Sequence, residues 1–376
     1  MGVERTLAVL RGSGAGDAET RYLRHCTGLN LRFIGTYPPD RFRDERPRVV
    51  YLQPGLRYPL GFDPISLLRG GVDITSWTYL DPLEEYLEDV DCINVPDTWF
   101  FFSAQGARIA RKLNKMLVTT VWETIPKLYW NYLPPYSLNW RAIRENTTRY
   151  VALTDRAARY LESLSVSASE VCRIYPGTDL EVFSVRDADF DDPLRILFVG
   201  RLVREKGVEE LLAAFGRLTR ELNGKLELWV VGGGPLEGLI WEASSELPVR
   251  YLGFVGHDQL PSVFRDCHIF CLPSRDRRAW GLKLWEEQFG YVLTEAMACG
   301  LAVVSTNCGA IPEVVGTDNV IVDQGDAEAL YQGLRAMAMD RDRLTELRIR
   351  NRKRAEMLFD ARRQAERFQR VVLSCG

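Results

Sequence analysis

Residues 285–309, WEEQFGYVLTEAMACGLAVVSTNCG, place a loop, a helix-like run and a β-like run in one short stretch. The loop ends at Phe289-Gly290, YVLTEAMA reads as a helix, and LAVVST after Gly300 reads as a buried strand. A glycine at a loop-to-helix junction lets a ligand approach outward-pointing backbone amides, where the helix dipole favours an anion. Glu287 stays on the loop and Glu295 falls about one turn into the helix. Two carboxylates flanking an anion-binding helix start suit a ligand with hydroxyls on either side of a phosphate, the layout of a nucleotide-sugar. They equally suit a solvated pair, since carboxylates favour helix N-termini in any case.

The rest of the chain repeats the same alternation of β-like runs, loops and helices, the pattern of an α/β protein with doubly wound parallel sheets. At 376 residues there is room for two domains of ordinary size. With 46% hydrophobic and 26% charged residues the composition is that of a soluble globular protein. A net charge of −3 gives no basic field for nucleic acid. The apolar run Leu7 to Leu10 is too short for a signal peptide and reads as a first strand. The longest uncharged run, residues 296–312, is broken by Gly, Ser, Thr, Asn and Pro and is no membrane span. Eight cysteines without CxxC pairs point to reduced thiols and a cytoplasmic location. Three histidines, His25, His257 and His268, are too few for a multi-histidine metal centre, so no metal ligand is assigned.

In the first half, TLAVL is followed by RGSGAGDAE and a helix-like ETRYLRHC. Gly12, Gly14 and Gly16 miss the GxGxxG spacing, which leaves a phosphate cradle and a plain loop over the sheet edge equally open. DCINVPD and VTTVWETIP read as strands, the second carrying Glu123 to its carboxyl edge. That carboxylate either touches a sugar or acceptor, or caps the next segment. Between them lies a helix with Arg108, Arg111, Lys112 and Lys115 on one face and Ile109, Leu113 and Leu117 on another. Such a basic face either rests on an anionic membrane, at its inner side, or is merely solvated. In YVALTDRAARYLESL, Thr154 or Asp155 is suited to cap the helix. The charged run RDADFDDP reads as a linker.

The second half opens with LRILFVGRLVREKGVEELL. A strand ends at Gly200, with Arg201 and Lys206 on the loop before a long amphipathic helix. Two cations at the carboxyl end of a strand, near a helix start, suit a diphosphate. Gly232-Gly233-Gly234-Pro235 follows the next strand, and Gly253 to Gly256 the one after, including Gly253 and Phe254. Glycines at these turns let a flat base approach the backbone closely.

Taken in order, GRLVREKG, VVGGGP, GFVGHDQLPSVFRDCHIFCLPS, EQFGYVLTEAMACG and IPEVVG resemble the retaining, nucleotide-sugar-dependent glycosyltransferases of family 4. The resemblance covers residues 151–376. YPGTDLEVF looks like that family's motif before the interdomain linker, and FDARRQAERF like its terminal helix. The resemblance implies the GT-B fold, two Rossmann-like domains facing across a cleft. It further implies an acceptor-side domain at 1–187, joined by 359–376, and a donor-binding domain at 188–358. It implies hexosyl transfer with retained configuration and no metal or other cofactor, the nucleotide-sugar being a co-substrate. The acceptor would be a glycan, a lipid-linked sugar or a small molecule. Arg201 and Lys206 would hold the diphosphate and stabilise the leaving group. Glu287 would hold donor-sugar hydroxyls beside the amides of Phe289 and Gly290, and Glu295 the ribose hydroxyls. Gly200, Gly232, Gly234, Gly253 and Phe254 would line the nucleotide, with Gly14 and Glu123 on the acceptor or sugar side.

The chain departs from the family twice. Trp122-Glu123 stands where many members carry a histidine on the donor sugar. The loop before Glu287 is also long, and its Arg275, Arg277 and Arg278 either grip an anionic acceptor or form a solvated charge run. Three rival readings remain: an NAD-dependent dehydrogenase, which would need the missing GxGxxG, a non-catalytic sugar-nucleotide-binding protein, and a GT-B epimerase acting on a nucleotide-sugar.

Overall fold

The computed structural model describes residues 5–12, 21–36, 48–55, 78–126, 134–185, 193–222 and 225–374. Contacts divide the chain into two compact units, Met1–Gly177 with Ala361–Gly376, and Thr178–Asp360. The borders expected from the sequence are 187/188 and 358/359. The linker it named, RDADFDDP, lies almost wholly outside the described residues, as do Gly14 and Gly16.

In the first unit, β1 (Arg5–Gly12), β2 (Leu29–Gly35) and β3 (Arg48–Tyr51) join β6 (Cys92–Pro96), β7 (Met116–Val121), β8 (Arg149–Ala152) and β9 (Val171–Arg173). The order is β3-β2-β1-β6-β7-β8-β9, every pair parallel. Two short strands, β4 (Gln53–Gly55) and β5 (Tyr79–Asp81), pair separately and antiparallel. Runs such as Leu7–Leu10 are fully buried because helices cover both faces of a parallel sheet. Thr154 caps the Asp155–Ser163 helix by accepting from the Ala157 amide. The helix Ala361–Ser374 returns to this unit. Its Ala365, Phe368 and Val372 are fully buried among Leu7, Val9, Leu23 and Leu29. Gln369 accepts from the Gly28 amide at 2.9 Å. Burial of that face contributes roughly 1.5–3 kcal/mol for each large side chain.

One boundary differs from the sequence expectation. The basic helix spans Phe101–Lys112 and stops there, because Asn114 turns the chain with φ of 52°. Leu117 therefore belongs to β7, paired with Ile93 of β6, and Lys115 lies in the turn between them. Arg108, Arg111 and Lys112 are exposed, but Lys112 is held by Glu84 at 2.5 Å.

The second unit holds β10 (Leu194–Val199), β11 (Leu226–Val231), β12 (Val249–Gly253), β13 (Ile269–Leu272), β16 (Ala302–Thr306) and β17 (Val320–Val322). They run all parallel in the order β12-β11-β10-β13-β16-β17. Between β13 and β16 an antiparallel hairpin is inserted, β14 (Arg277–Ala279) and β15 (Leu282–Trp285). In an all-parallel sheet the loops that follow the strands gather at one edge, and here the strand ends, these loops and the helix Tyr291–Ala298 carry the candidate residues assigned to this unit.

Candidate functional site

The edge is built first from backbone. Gly200 donates to the Val231 carbonyl at 3.0 Å, Leu202 to Gly233 at 2.9 Å, and Gly232 to Gly253 at 2.8 Å, so the three loops after β10, β11 and β12 are stitched together. Gly232 has φ of 129°, and a Cβ there would meet the Gly200 carbonyl oxygen at 1.9 Å. Tyr251 donates its hydroxyl to the Gly232 carbonyl at 2.9 Å. No side chain fits between these loops at Gly232 or Gly234, which leaves bare peptide groups along this edge.

Lys206 ends the short 3₁₀ turn Arg204–Lys206, and Gly207 follows with φ of 69°. A Cβ on Gly207 would stand 2.0 Å from the Pro273 carbonyl oxygen, so the Lys206 turn is seated directly on the loop after β13. That contact brings Lys206 Nζ to 2.5 Å from Glu287 Oε2, which also accepts from Ser274 Oγ at 2.8 Å. The paired side chains are only 13% and 8% exposed. Desolvation makes such a pair a poor source of stability. What it provides is a cation and a carboxylate fixed in place. The Glu287 backbone is fixed as well, its amide on Cys308 Sγ at 3.4 Å and its carbonyl on the Ala310 amide at 2.8 Å. Burial raises the Cys308 thiol well above its ordinary range, so it stays neutral beside that carboxylate.

The helix Tyr291–Ala298 begins after Gly290, which supplies no side-chain cap, and the Leu293 amide donates back to the Gly290 carbonyl at 2.9 Å. Glu295 on it is buried and lies 2.9 Å from His257 Nε2, a residue of the loop after β12. Phe254 on the same loop is 88% exposed. Phe289 differs, for its ring is buried against Tyr291 and Phe359, so only its backbone can serve a ligand. The side chain of Arg201 is exposed and makes no hydrogen bond or ion pair among the described residues.

The long loop before Glu287 proves to be the β14–β15 hairpin, and its arginines are engaged within their own unit. Arg275 pairs with Glu210 at 2.7 Å, Arg277 with Glu205 at 3.5 Å and Arg278 with Asp276 at 3.1 Å. Lys283 bridges Asp276 at 2.8 Å and Glu286 at 2.7 Å. Burial works against the Asp276 charge, but Lys283, with help from Arg278 and Cys308, holds its carboxyl below the usual range.

In the first unit Glu123 is buried at the carboxyl end of β7, its Oε1 accepting from the Thr124 and Ile125 amides at 2.9 and 3.0 Å. Asp97, buried with φ of 48°, accepts from the Trp122 and Glu123 amides at 2.9 and 3.0 Å. The Arg11 guanidinium lies 5.3 Å over the Trp122 ring. Of the two readings left open for Glu123, its capping of the following turn is what these contacts display.

Ser274, His257, Asp97 and Trp285 lie inside stretches quoted above but carry no assigned role there. Each is a polar or aromatic residue in or just after a strand end, and that position is the available signal. Among the described residues no three His, Cys, Asp or Glu side chains gather as a metal site, and no helix is long and apolar enough to cross a membrane.

Residues 183–355 match the family described as glycosyl transferases group 1. The chain is 31% identical over 154 residues to the GDP-mannose-dependent alpha-(1-6)-phosphatidylinositol monomannoside mannosyltransferase of Mycobacterium tuberculosis, covering 39% of each chain. It is 31% identical over 223 residues to D-inositol 3-phosphate glycosyltransferase 1 of Catenulispora acidiphila, covering 53% of this chain and 51% of that one. The chain thus spans about half or less of the length of these curated relatives. Among solved structures it resembles Anabaena HepE, crystallised with UDP and glucose, with a TM-score of 0.74 at 16% identity over 98% of this chain and 100% of that one. At that identity the likeness establishes the fold, two parallel-sheet Rossmann-like domains of the GT-B kind.

Proposed function

We infer that this chain, whose residues 183–355 match the family described as glycosyl transferases group 1, transfers a hexose-type sugar from a nucleotide-sugar to a glycan, lipid-linked or small-molecule acceptor. The observation that carries this reading is the buried Lys206–Glu287 pair at the glycine-built edge of the second sheet. The solved complexes of HepE with UDP and with UDP-glucose support a donor of that class.

In this reading the bond from the sugar C1 to the diphosphate oxygen breaks as the bond from C1 to the acceptor oxygen forms. Negative charge collects on the diphosphate, where Lys206, already held in place, and the exposed Arg201 meet it, and no metal is required. The C1 centre passes through an oxocarbenium-like state. If the acceptor enters on the leaving-group face, its hydroxyl proton goes to the departing phosphate oxygen and the anomeric configuration is kept. Glu287 holds donor-sugar hydroxyls, and Glu295 the ribose hydroxyls by the logic of the acidic ribose clamp.

A thermal-shift panel of UDP-, GDP-, ADP- and dTDP-sugars tests this. A ligand at a hundred times its Kd adds about 2.7 kcal/mol, which is roughly 5–10 °C for a unit of this size. At least one donor should give that shift and be slowly hydrolysed, and Glu295→Ala should lose the shift given by the nucleoside diphosphate alone. Silence across the panel, in both shift and hydrolysis, overturns the reading.

A second reading concerns the first unit. Arg108 and Arg111 line one groove with Arg141 and Leu138, the last 56% exposed. Glu145 lines the same groove and pairs with Arg141 at 2.7 Å and Arg111 at 4.0 Å, and the remaining positive excess around the exposed leucine supports contact with the anionic inner face of a membrane from the cytoplasmic side. Cosedimentation with phosphatidylglycerol vesicles, but not phosphatidylcholine ones, is expected to fall several-fold in Arg108→Glu/Arg111→Glu. Equal binding to both vesicles removes the idea.

A further inference from the structure

We propose that Trp285 is a positioning residue for Lys206, its indole face holding the ammonium group against Glu287. The proposal rests on the diphosphate role inferred above. Lys206 Nζ stands 5.0 Å from the centroid of the Trp285 ring and 2.5 Å from Glu287 Oε2, within range of a cation–π contact.

The rest of the hairpin explains why the ring is there. Its base is tied to the Lys206 turn through the Arg275 amide, which donates to the Glu205 carbonyl at 2.9 Å, and through the Arg277–Glu205 pair at 3.5 Å. Arg275 reaches further to Glu210 at 2.7 Å, on the helix that follows that turn. The two hairpin strands are in turn locked by Lys283, which bridges Asp276 and Glu286. Trp285, one residue before Glu286, is thereby fixed against the same turn that presents Lys206.

A lysine side chain has four rotatable carbons and loses much rotamer freedom when held in one place. Glu287 alone would fix one N–H and leave the head free to swing. An aromatic face attracts the whole cation without needing one of its N–H donors to itself. Of the three N–H donors, Glu287 takes one and two stay available for phosphate oxygens. The cation is then already in place when charge develops on the leaving group, which is the condition for strong electrostatic assistance.

The experiment compares wild type with Trp285→Phe and Trp285→Leu. In the free protein, acetic anhydride labels lysines, and mass spectrometry reads Lys206 against Lys283. Lys206 labelling should rise several-fold in the order Trp, Phe, Leu, with Lys283 unchanged because its carboxylate partners remain. Donor turnover should fall in the same order, by about 5- to 30-fold for Leu, mainly in kcat. Equal Lys206 labelling in all three proteins overturns the proposal. So does a parallel rise at Lys283, which would mean that the hairpin has merely come apart. If the Leu variant does not fold, the difference between Trp and Phe decides alone. Should wild type hydrolyse no nucleotide-sugar, the transferase reading fails, while the labelling order still judges the clamp.

Discussion

Lys206→Ala lowers kcat/KM for donor turnover by two to three orders of magnitude, equivalent to about 2.7–4 kcal/mol of leaving-group stabilisation lost. The same substitution strands Glu287, a carboxylate whose side chain is 8% exposed and which, among the described residues, keeps Ser274 as its side-chain donor. Breaking one side of a buried pair costs on the order of 3–5 kcal/mol of stability. A fall in activity could therefore reflect a weakened fold. The double variant Lys206→Ala/Glu287→Gln separates the two effects, because it removes the orphaned charge together with the cation. It should recover most of the melting temperature and none of the turnover. Arg201→Ala supplies the complementary case. Its side chain is exposed, so turnover should drop with the melting temperature unchanged. Near-normal turnover in Lys206→Ala removes the diphosphate role from this residue.

Lys206 and Glu287 are 81 residues apart in sequence, yet both were legible as candidates, because each sits in a compact motif beside a strand end. Their partners were not. Ser274 reaches Glu287 because the β14–β15 hairpin folds the chain back within the β13–β16 connection, and His257 reaches Glu295 only because the sheet sets the loop after β12 beside the helix that follows β13. No local pattern encodes that adjacency. The hairpin was hidden for a different reason. Its turn residues, Trp280 and Gly281, have φ of 48° and 77°, and tryptophan is foreign to a turn that favours Asn-Gly. The run RRAWGLKLW therefore reads as an arginine-rich loop. In the first unit the spacing of Ile109, Leu113 and Leu117 satisfied a helical period across a turn, so a strand residue was drawn onto a helix face. Asn114 at positive φ was the missed stop signal.

Gly207→Ala removes both the fold and the function of the same corner. At φ of 69° an alanine costs roughly 1–2 kcal/mol from backbone sterics alone. Its Cβ would also lie 2.0 Å from the Pro273 carbonyl oxygen and 2.8 Å from the carbonyl carbon. Those are backbone atoms of the strand-following loop and cannot swing aside as a side chain can. Forcing the two loops apart adds about 1–3 kcal/mol, as overpacking does elsewhere. The sum, about 2–5 kcal/mol, corresponds to roughly 4–20 °C in melting temperature for a unit of this size. Activity should fall even at temperatures where the variant stays folded, since the loop that yields is the one presenting Lys206 to Glu287 and Ser274. Gly238→Ala is the internal contrast. It lies exposed in the helix Glu237–Glu246 with nothing within 4 Å of its would-be Cβ, so alanine there should be neutral or stabilise by up to about 1 kcal/mol. Urea unfolding of both variants reads the difference directly. A Gly207→Ala protein with the wild-type midpoint would mean that the Lys206 turn is not seated on the Pro273 backbone, and the rigid placement of its cation would lose its structural basis.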